Sequence, residues 1–233
     1  MSFIVIEGLD GAGKSTQINL LQDYLEKENV KYKYLHFPRT ESPFYGELVA
    51  RFLRGEFGDI NTVDPYMVAL IYGGDRMDAA PTIHSWIDEG YQVIVDRYVD
   101  SNIAFQCAKL KDENERKELR NWILQFEFEY NKIPRPDLVV FLDVPFQFTR
   151  EKLSNNRTGG DREYLNGKQD IHELDLSFQE KVREMYLMES TYKSEFQVVD
   201  CGKDTSSILP PQEIFEKILN LIHRKEILKK AKQ

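Results

Sequence analysis

Five short runs of apolar residues alternate along the chain with longer stretches in which apolar side chains recur every three or four positions. The runs are Phe3 to Ile6, Tyr32 to Phe37, Gln92 to Val95, Leu138 to Leu142 and Gln197 to Val199. Those at 93–95 and 138–142 are nearly continuous in Val, Ile, Leu and Phe, as in parallel strands covered by helices on both faces. After the first run, Ile18, Leu21 and Leu25 keep helical spacing. Asp64-Pro65 reads as an N-cap with proline at the first helical position, opening a helix that runs through Trp86 and stops near Gly90. Gly73-Gly74 inside that helix costs roughly 1 kcal/mol per glycine relative to alanine. Such a doublet implies that a neighbouring backbone or a ligand comes close. Further helices are predicted over about 113–130, 146–153, 177–192 and 211–230. No repeat or linker interrupts the pattern, so the expectation is one domain over 1–233: an α/β doubly wound fold of about five parallel strands flanked by helices.

Composition narrows the class without choosing a chemistry. The chain has 233 residues, 41% hydrophobic and 30% charged, with a net charge of −8. An acidic balance argues against nucleic acid as a partner, since such binding neutralises phosphates with a basic face. His223-Arg224-Lys225 and Lys229-Lys230-Ala231-Lys232 follow the amphipathic pattern Ile214, Phe215, Ile218, Leu221, Ile222, and read as cations at a helix C-terminus. No run approaches the roughly 18 apolar residues of a membrane helix, and the N-terminus lacks a secretion-signal layout, so a cytoplasmic protein is expected. Cys107 and Cys201 have no zinc-like spacing and read as reduced structural thiols.

One segment carries explicit chemistry. Gly8-Leu9-Asp10-Gly11-Ala12-Gly13-Lys14-Ser15 fits G-x-x-x-x-G-K-[S/T] directly between a strand and a helix. Three glycines let backbone N–H groups close around phosphate oxygens at a helix N-terminus. Lys14 adds a cation for the β/γ-phosphates, and the Ser15 hydroxyl is placed to ligate Mg²⁺. Mg·ATP or Mg·GTP is the implied ligand. Guanine is read by N-K-x-D in GTPases, and the Asn131-Lys132-Ile133-Pro134 segment lacks the aspartate. At the end of the third strand, Asp96 and Arg97 lie at the carboxyl edge where ligands bind in open α/β sheets. One can face the metal while the other reaches a second phosphate; an Asp–Arg ion pair closing the strand is the alternative.

Several segments together resemble thymidylate kinases: Glu7 through Thr16, Phe37-Pro38-Arg39, Asp75-Arg76, Asp96-Arg97-Tyr98 with Ser101-Asn102, and Pro134-Arg135-Pro136-Asp137-Leu138 with Leu142-Asp143-Val144. The likeness continues through Arg157, Asp161-Arg162-Glu163 and Phe178-Gln179-Glu180-Lys181-Val182-Arg183, covering roughly the first 190 residues. It implies transfer of the ATP γ-phosphoryl group to dTMP, with the loop from Gly8 to Thr16 holding ATP and Mg²⁺ held by Ser15 and Asp96. Asp10 would approach the acceptor sugar and its phosphate, Arg39 and Arg97 would hold that phosphate, and Tyr72 would stack on thymine. Arg76 would bond the base edge, with Ser101 beside it and Asn102 near thymine N3. The register around Arg39 is open, because Thr40 to Gly46 varies in length within the family.

Some family members carry a catalytic arginine within the phosphate loop, where this chain has Gly11. Others carry it in a mobile lid, and 154–165 contains Arg157 and Arg162 among glycines, which resembles the lid-arginine type. Lys14, Asp10, Asp96, Arg157 and Arg162 are then the catalytic set. The likeness also implies a homodimer. Two rival readings remain: another phosphate-loop kinase acting on a different nucleoside or nucleoside monophosphate, and an ATP-dependent partitioning or assembly protein.

Overall fold

In a computed structural model, residues 2–60, 62–154, 165 and 176–225 are described. Five strands form one parallel sheet: β1 (Phe3–Gly8), β2 (Tyr32–His36), β3 (Gln92–Asp96), β4 (Leu138–Asp143) and β5 (Phe196–Asp200), in the order β2-β3-β1-β4-β5. Val5 pairs with Val95 on one side and Val139 on the other, so β1 is central. Every residue of β1 and β3 is buried, which is why these runs carry no polar alternation.

Successive side chains of a strand point to opposite faces. Phe3, Val5, Val93, Val95, Val139 and Phe141 accordingly join one core, under helices α3 (Pro65–Asp88), α4 (Val99–Cys107), α5 (Glu113–Leu124) and α7 (Leu176–Tyr192). Ile4, Ile6, Ile94, Leu138, Val140 and Leu142 join the other, under α1 (Lys14–Lys27) and α8 (Pro211–Arg224). Helices α2 (Tyr45–Leu53) and α6 (Phe146–Ser154) complete the described set. The reading of 211–230 as one helix is supported to Arg224, and the remainder lies outside the described residues. No described helix is long and apolar enough to cross a membrane.

The start of α3 is as the sequence predicts. The Asp64 side chain accepts from the Tyr66 and Met67 amides, and Pro65 occupies the first turn, where no donor is needed. The glycine doublet has a different cause from the one expected. A Cβ on Gly73 would lie 2.5 Å from Cε1 of Phe126, and one on Gly74 would overlap the Tyr45 ring, so aromatic side chains fill both notches rather than backbone or ligand. Tyr45 belongs to α2, and Phe126 to a π-helical turn, Gln125–Tyr130, that replaces the last part of the helix expected over 113–130.

Candidate active site

All five strands end on the same side, and the functional side chains gather at the carboxyl ends of β1 and β3. The phosphate loop leaves β1 at Gly8, with Gly11 and Gly13 in the left-handed region at φ 79° and 86°. Gly13 precedes α1, and no side chain caps the first amides of that helix. These donors and the positive end of the helix face the loop interior, as anion binding requires. The Lys14 ammonium folds back onto the carbonyls of Gly8 and Leu9, 3.3 Å from each. Burial lowers its pKa, with Arg97 adding to the effect and Asp96, Asp10 and Glu7 opposing it. A desolvated lysine beside open amides favours a polyanion, which would restore its charge. Ser15 and Thr16 lie exposed at the start of α1.

Asp96 ends β3 almost fully buried. Its Oδ2 lies 3.3 Å from Nδ1 of His36, whereas Oδ1 has no hydrogen-bond partner. Burial pushes its pKa up, but Lys14 and then His36 outweigh that, and the net shift is downward. The carboxylate therefore stays charged at the strand edge. Asp96 and Arg97 do not pair with each other, so the closing-ion-pair alternative fails. Arg97 adopts φ 62°, which turns its side chain toward the phosphate loop. There Nη2 donates to Asp10 Oδ1 at 2.6 Å, and Nη1 donates to Ser101 Oγ at 3.3 Å. Burial lowers the Arg97 pKa, yet Asp10 and neighbouring groups reverse the shift, keeping the guanidinium charged.

Beneath Arg97 lies a network whose members are far apart in the chain. Glu7, fully buried in β1, accepts from the amides of Tyr98 and Ser101 at 2.8 and 3.2 Å, and so caps α4 in place of its own N-cap side chain. Its other oxygen accepts from Ser101 Oγ at 2.6 Å and from Tyr186 Oη at 3.0 Å. Ser101 thus links the β1 carboxylate to the Arg97 guanidinium. The Gln179 amide approaches Asp10 Oδ2 at 3.5 Å from α7.

Arg39, in the segment between β2 and α2, is bound to α3 rather than extended. Its amide and Nε donate to Asp75 at 2.9 Å each, and Nη2 reaches Asp78 at 2.7 Å. Tyr72 is half-buried, edge-on to Phe52 with ring centroids 6.3 Å apart. Arg76, one turn later, is fully buried and pairs through Nε and Nη2 with both oxygens of Glu127, at 2.5 and 2.6 Å. Asn102 Nδ2 donates to the same carboxylate at 3.0 Å and to the Ala69 carbonyl at 3.1 Å. The structure thus brings Lys14, Asp10, Asp96, Arg97 and Ser101 into one group, and Arg76 and Asn102 into a second. Arg157 and Arg162 lie outside the described residues. Sequence reasoning missed Glu127 and the bridging roles of Glu7 and Tyr186. An acid between two aromatics, Phe126-Glu127-Phe128, in an otherwise amphipathic helix was the available signal for the first.

A phosphate loop facing a fixed arginine across a sheet edge is the arrangement of a phosphotransferase of the phosphate-loop kinase class. The thymidylate kinase family model matches residues 6–209. The thymidylate kinase of Mycobacterium tuberculosis strain H37Rv is 31% identical over 216 residues, 89% of this chain and 97% of the relative. Probable thymidylate kinase 1 of Saccharolobus solfataricus is 32% identical over 210 residues, 88% and 92% of the two chains. The solved structure of the Candida albicans thymidylate kinase superposes with a TM-score of 0.71 at 26% identity, covering 97% of this chain and 92% of that one. The chain belongs to the thymidylate kinase family, and its activity is phosphorylation of dTMP by ATP.

Proposed function

We propose that ATP lies with its triphosphate in the Gly8–Thr16 loop and that the dTMP phosphate sits against Arg97, with Asp10 between them. The observation that carries this reading is the Arg97–Asp10 pair, which couples the end of β3 to the donor loop at 2.6 Å. A nucleoside kinase has no acceptor phosphate to neutralise and no use for a desolvated arginine there. An oxygen of the dTMP phosphate attacks the γ-phosphorus of ATP, the bond to the β–γ bridging oxygen breaks, and ADP leaves with that electron pair. Such a transfer needs placement and positive charge more than covalent help. Lys14 supplies charge on the β/γ side and Arg97 on the acceptor side. Arg39 supports the acceptor phosphate from the segment after β2, and Arg157 and Arg162 supply charge to the transferring group.

Tyr72 stacks on the base, while Arg76 and Asn102 read its edge. Among the described residues no cluster of three His, Cys, Asp or Glu side chains could hold a metal alone. A magnesium ion bound mainly by nucleotide phosphates and water needs less than that. The orphaned buried Oδ1 of Asp96 and the exposed Ser15 hydroxyl fit such an ion. It would add positive charge at the donor's phosphates. The working unit is read as a cytoplasmic homodimer on family likeness, and sedimentation of the purified chain tests the dimer.

A coupled ADP-release assay over dTMP, dUMP, dCMP, AMP, GMP and thymidine tests the acceptor assignment. Turnover with dTMP and none with thymidine is expected. Equal turnover with thymidine, or ATP hydrolysis indifferent to every acceptor, would overturn it.

A further inference from the structure

We propose that Glu127 is the positioning residue that sets which pyrimidine the acceptor pocket accepts, by fixing the donor and acceptor polarity of the edge formed by Arg76 and Asn102. The inference rests on the reading above that these two side chains face the base, and it adds a residue that no motif contains.

A guanidinium carries five N–H donors in a rigid fork. Glu127 occupies the Nε and Nη2 side of that fork with both its oxygens, at 2.5 and 2.6 Å. Nη1 makes no hydrogen bond with any described residue, so Arg76 presents one fixed donor edge. The Asn102 amide is locked by the same carboxylate. Its two Nδ2 hydrogens go to Glu127 Oε1 at 3.0 Å and to the Ala69 carbonyl at 3.1 Å. Rotating the amide by half a turn would press Oδ1 against two acceptor oxygens in a site shielded from water, a loss of two hydrogen bonds with two buried acceptors left facing a third. Asn102 therefore presents only its carbonyl oxygen, touched weakly by Gln106 Nε2 at 3.4 Å.

The pattern these two groups present is a donor from Arg76 and an acceptor from Asn102. A 4-oxo pyrimidine has the complement, an acceptor at O4 and a donor at N3–H. A 4-amino pyrimidine has the reverse at both positions and meets donor with donor and acceptor with acceptor. The polarity is enforced from behind, because Glu127 is fully buried and comes from a π-helical turn, a local insertion often found beside functional sites. The carboxylate also keeps Arg76 charged: burial lowers the arginine pKa, but Glu127 reverses the shift.

The test is the ratio of kcat/KM for dUMP to that for dCMP, two acceptors that differ only at this edge. In Glu127→Gln the amide must turn a donor toward Arg76 or Asn102, which frees Asn102 to rotate. The ratio should fall at least tenfold, on the scale by which misplaced polar groups in a binding site change discrimination, while the dTMP-to-dUMP ratio and the KM for ATP stay within about threefold of the parent. An unchanged dUMP-to-dCMP ratio, or equal loss for both nucleotides as a structural role predicts, would overturn the proposal. If Glu127→Gln does not fold, Glu127→Asp carries the same criterion, since it keeps the charge opposite Arg76 but is a methylene too short to hold Asn102 as well. The double variant Arg76→Met/Glu127→Leu removes both charges together and leaves no unpaired ion. Retained discrimination in that variant would refute base reading by Arg76 itself, whereas lost discrimination there with an unchanged ratio in Glu127→Gln would refute only the role of Glu127.

Discussion

Arg97 holds a left-handed backbone at φ 62°, a conformation that costs a residue with a Cβ about 1–2 kcal/mol. Replacing it with glycine and with alanine separates the backbone from the side chain. Both variants lose the contacts to Asp10 and Ser101, so that loss cancels in the comparison. Alanine keeps the strain and glycine removes it, while glycine gains unfolded-state freedom that lowers stability by about 0.5–1 kcal/mol. At the centre of those ranges the balance leaves Arg97→Gly more stable than Arg97→Ala by about 0.75 kcal/mol, the opposite of the usual order. For a chain of this size that is a gap of roughly 1–4 °C in Tm, readable by calorimetry on the two purified proteins. Both should bind dTMP at least about tenfold more weakly, as loss of a charge-assisted hydrogen bond implies, and bind a non-hydrolysable ATP analogue nearly as before. Equal stability of the two variants, or alanine above glycine, would refute the strain argument. Unchanged dTMP affinity in both would refute the acceptor role.

Tyr72→Phe should leave dTMP affinity nearly intact, whereas Tyr72→Ala should lose roughly 1–3 kcal/mol by analogy with bases stacked on aromatics, with ATP-analogue binding unchanged; titration calorimetry reads both. Gly74→Ala should destabilise the fold, because overpacking of about 1–3 kcal/mol against the Tyr45 ring exceeds the helix-propensity gain of about 1 kcal/mol. In a Tyr45→Ala background the same change should become neutral or stabilising in urea melts. Asp100 is pushed up to about 6, chiefly by burial, with Glu7 and Glu189 adding and Lys193 opposing. A carboxyl with a raised folded-state pKa favours the fold while protonated, and that contribution is lost as pH climbs from about 4 through 6. Stability of the parent relative to Asp100→Asn should therefore fall across that window and then level off, and a flat difference in urea melts from pH 4 to 8 would exclude it.

What could be read from the sequence was what short stretches specify by themselves. The phosphate loop is contiguous, and the strands β1, β3 and β4 announce themselves because burial on both faces removes polar alternation. Helix α4 left no such mark. Val99, Asp100, Asn102, Ile103, Ala104, Phe105, Gln106 and Cys107 are all buried, so the helix has no polar face to set a 3.6-residue period. Alternation of aromatic and polar residues over Gln125 to Tyr130 hid the π-helical turn within a stretch that reads simply as more helix. Glu7, Tyr186 and Glu127 act through partners 25 to 179 positions away, distances over which no local pattern speaks. The close fit at Gly73-Gly74 was predictable as crowding, but the identity of the crowding groups depended on which helices the sheet brings alongside.

The parallel order of the sheet also governs when the donor loop can exist during synthesis. Phe3 pairs with Val93 and Ile4 with Leu138, so the strand that carries the loop is the first to be made and among the last to be completed. At about 5–20 residues per second, β1 waits on the order of 10 s for β4. Until β3 emerges an apolar segment with both faces destined for burial has no strand to pair with, and one of its edges stays open until β4 has left the ribosome.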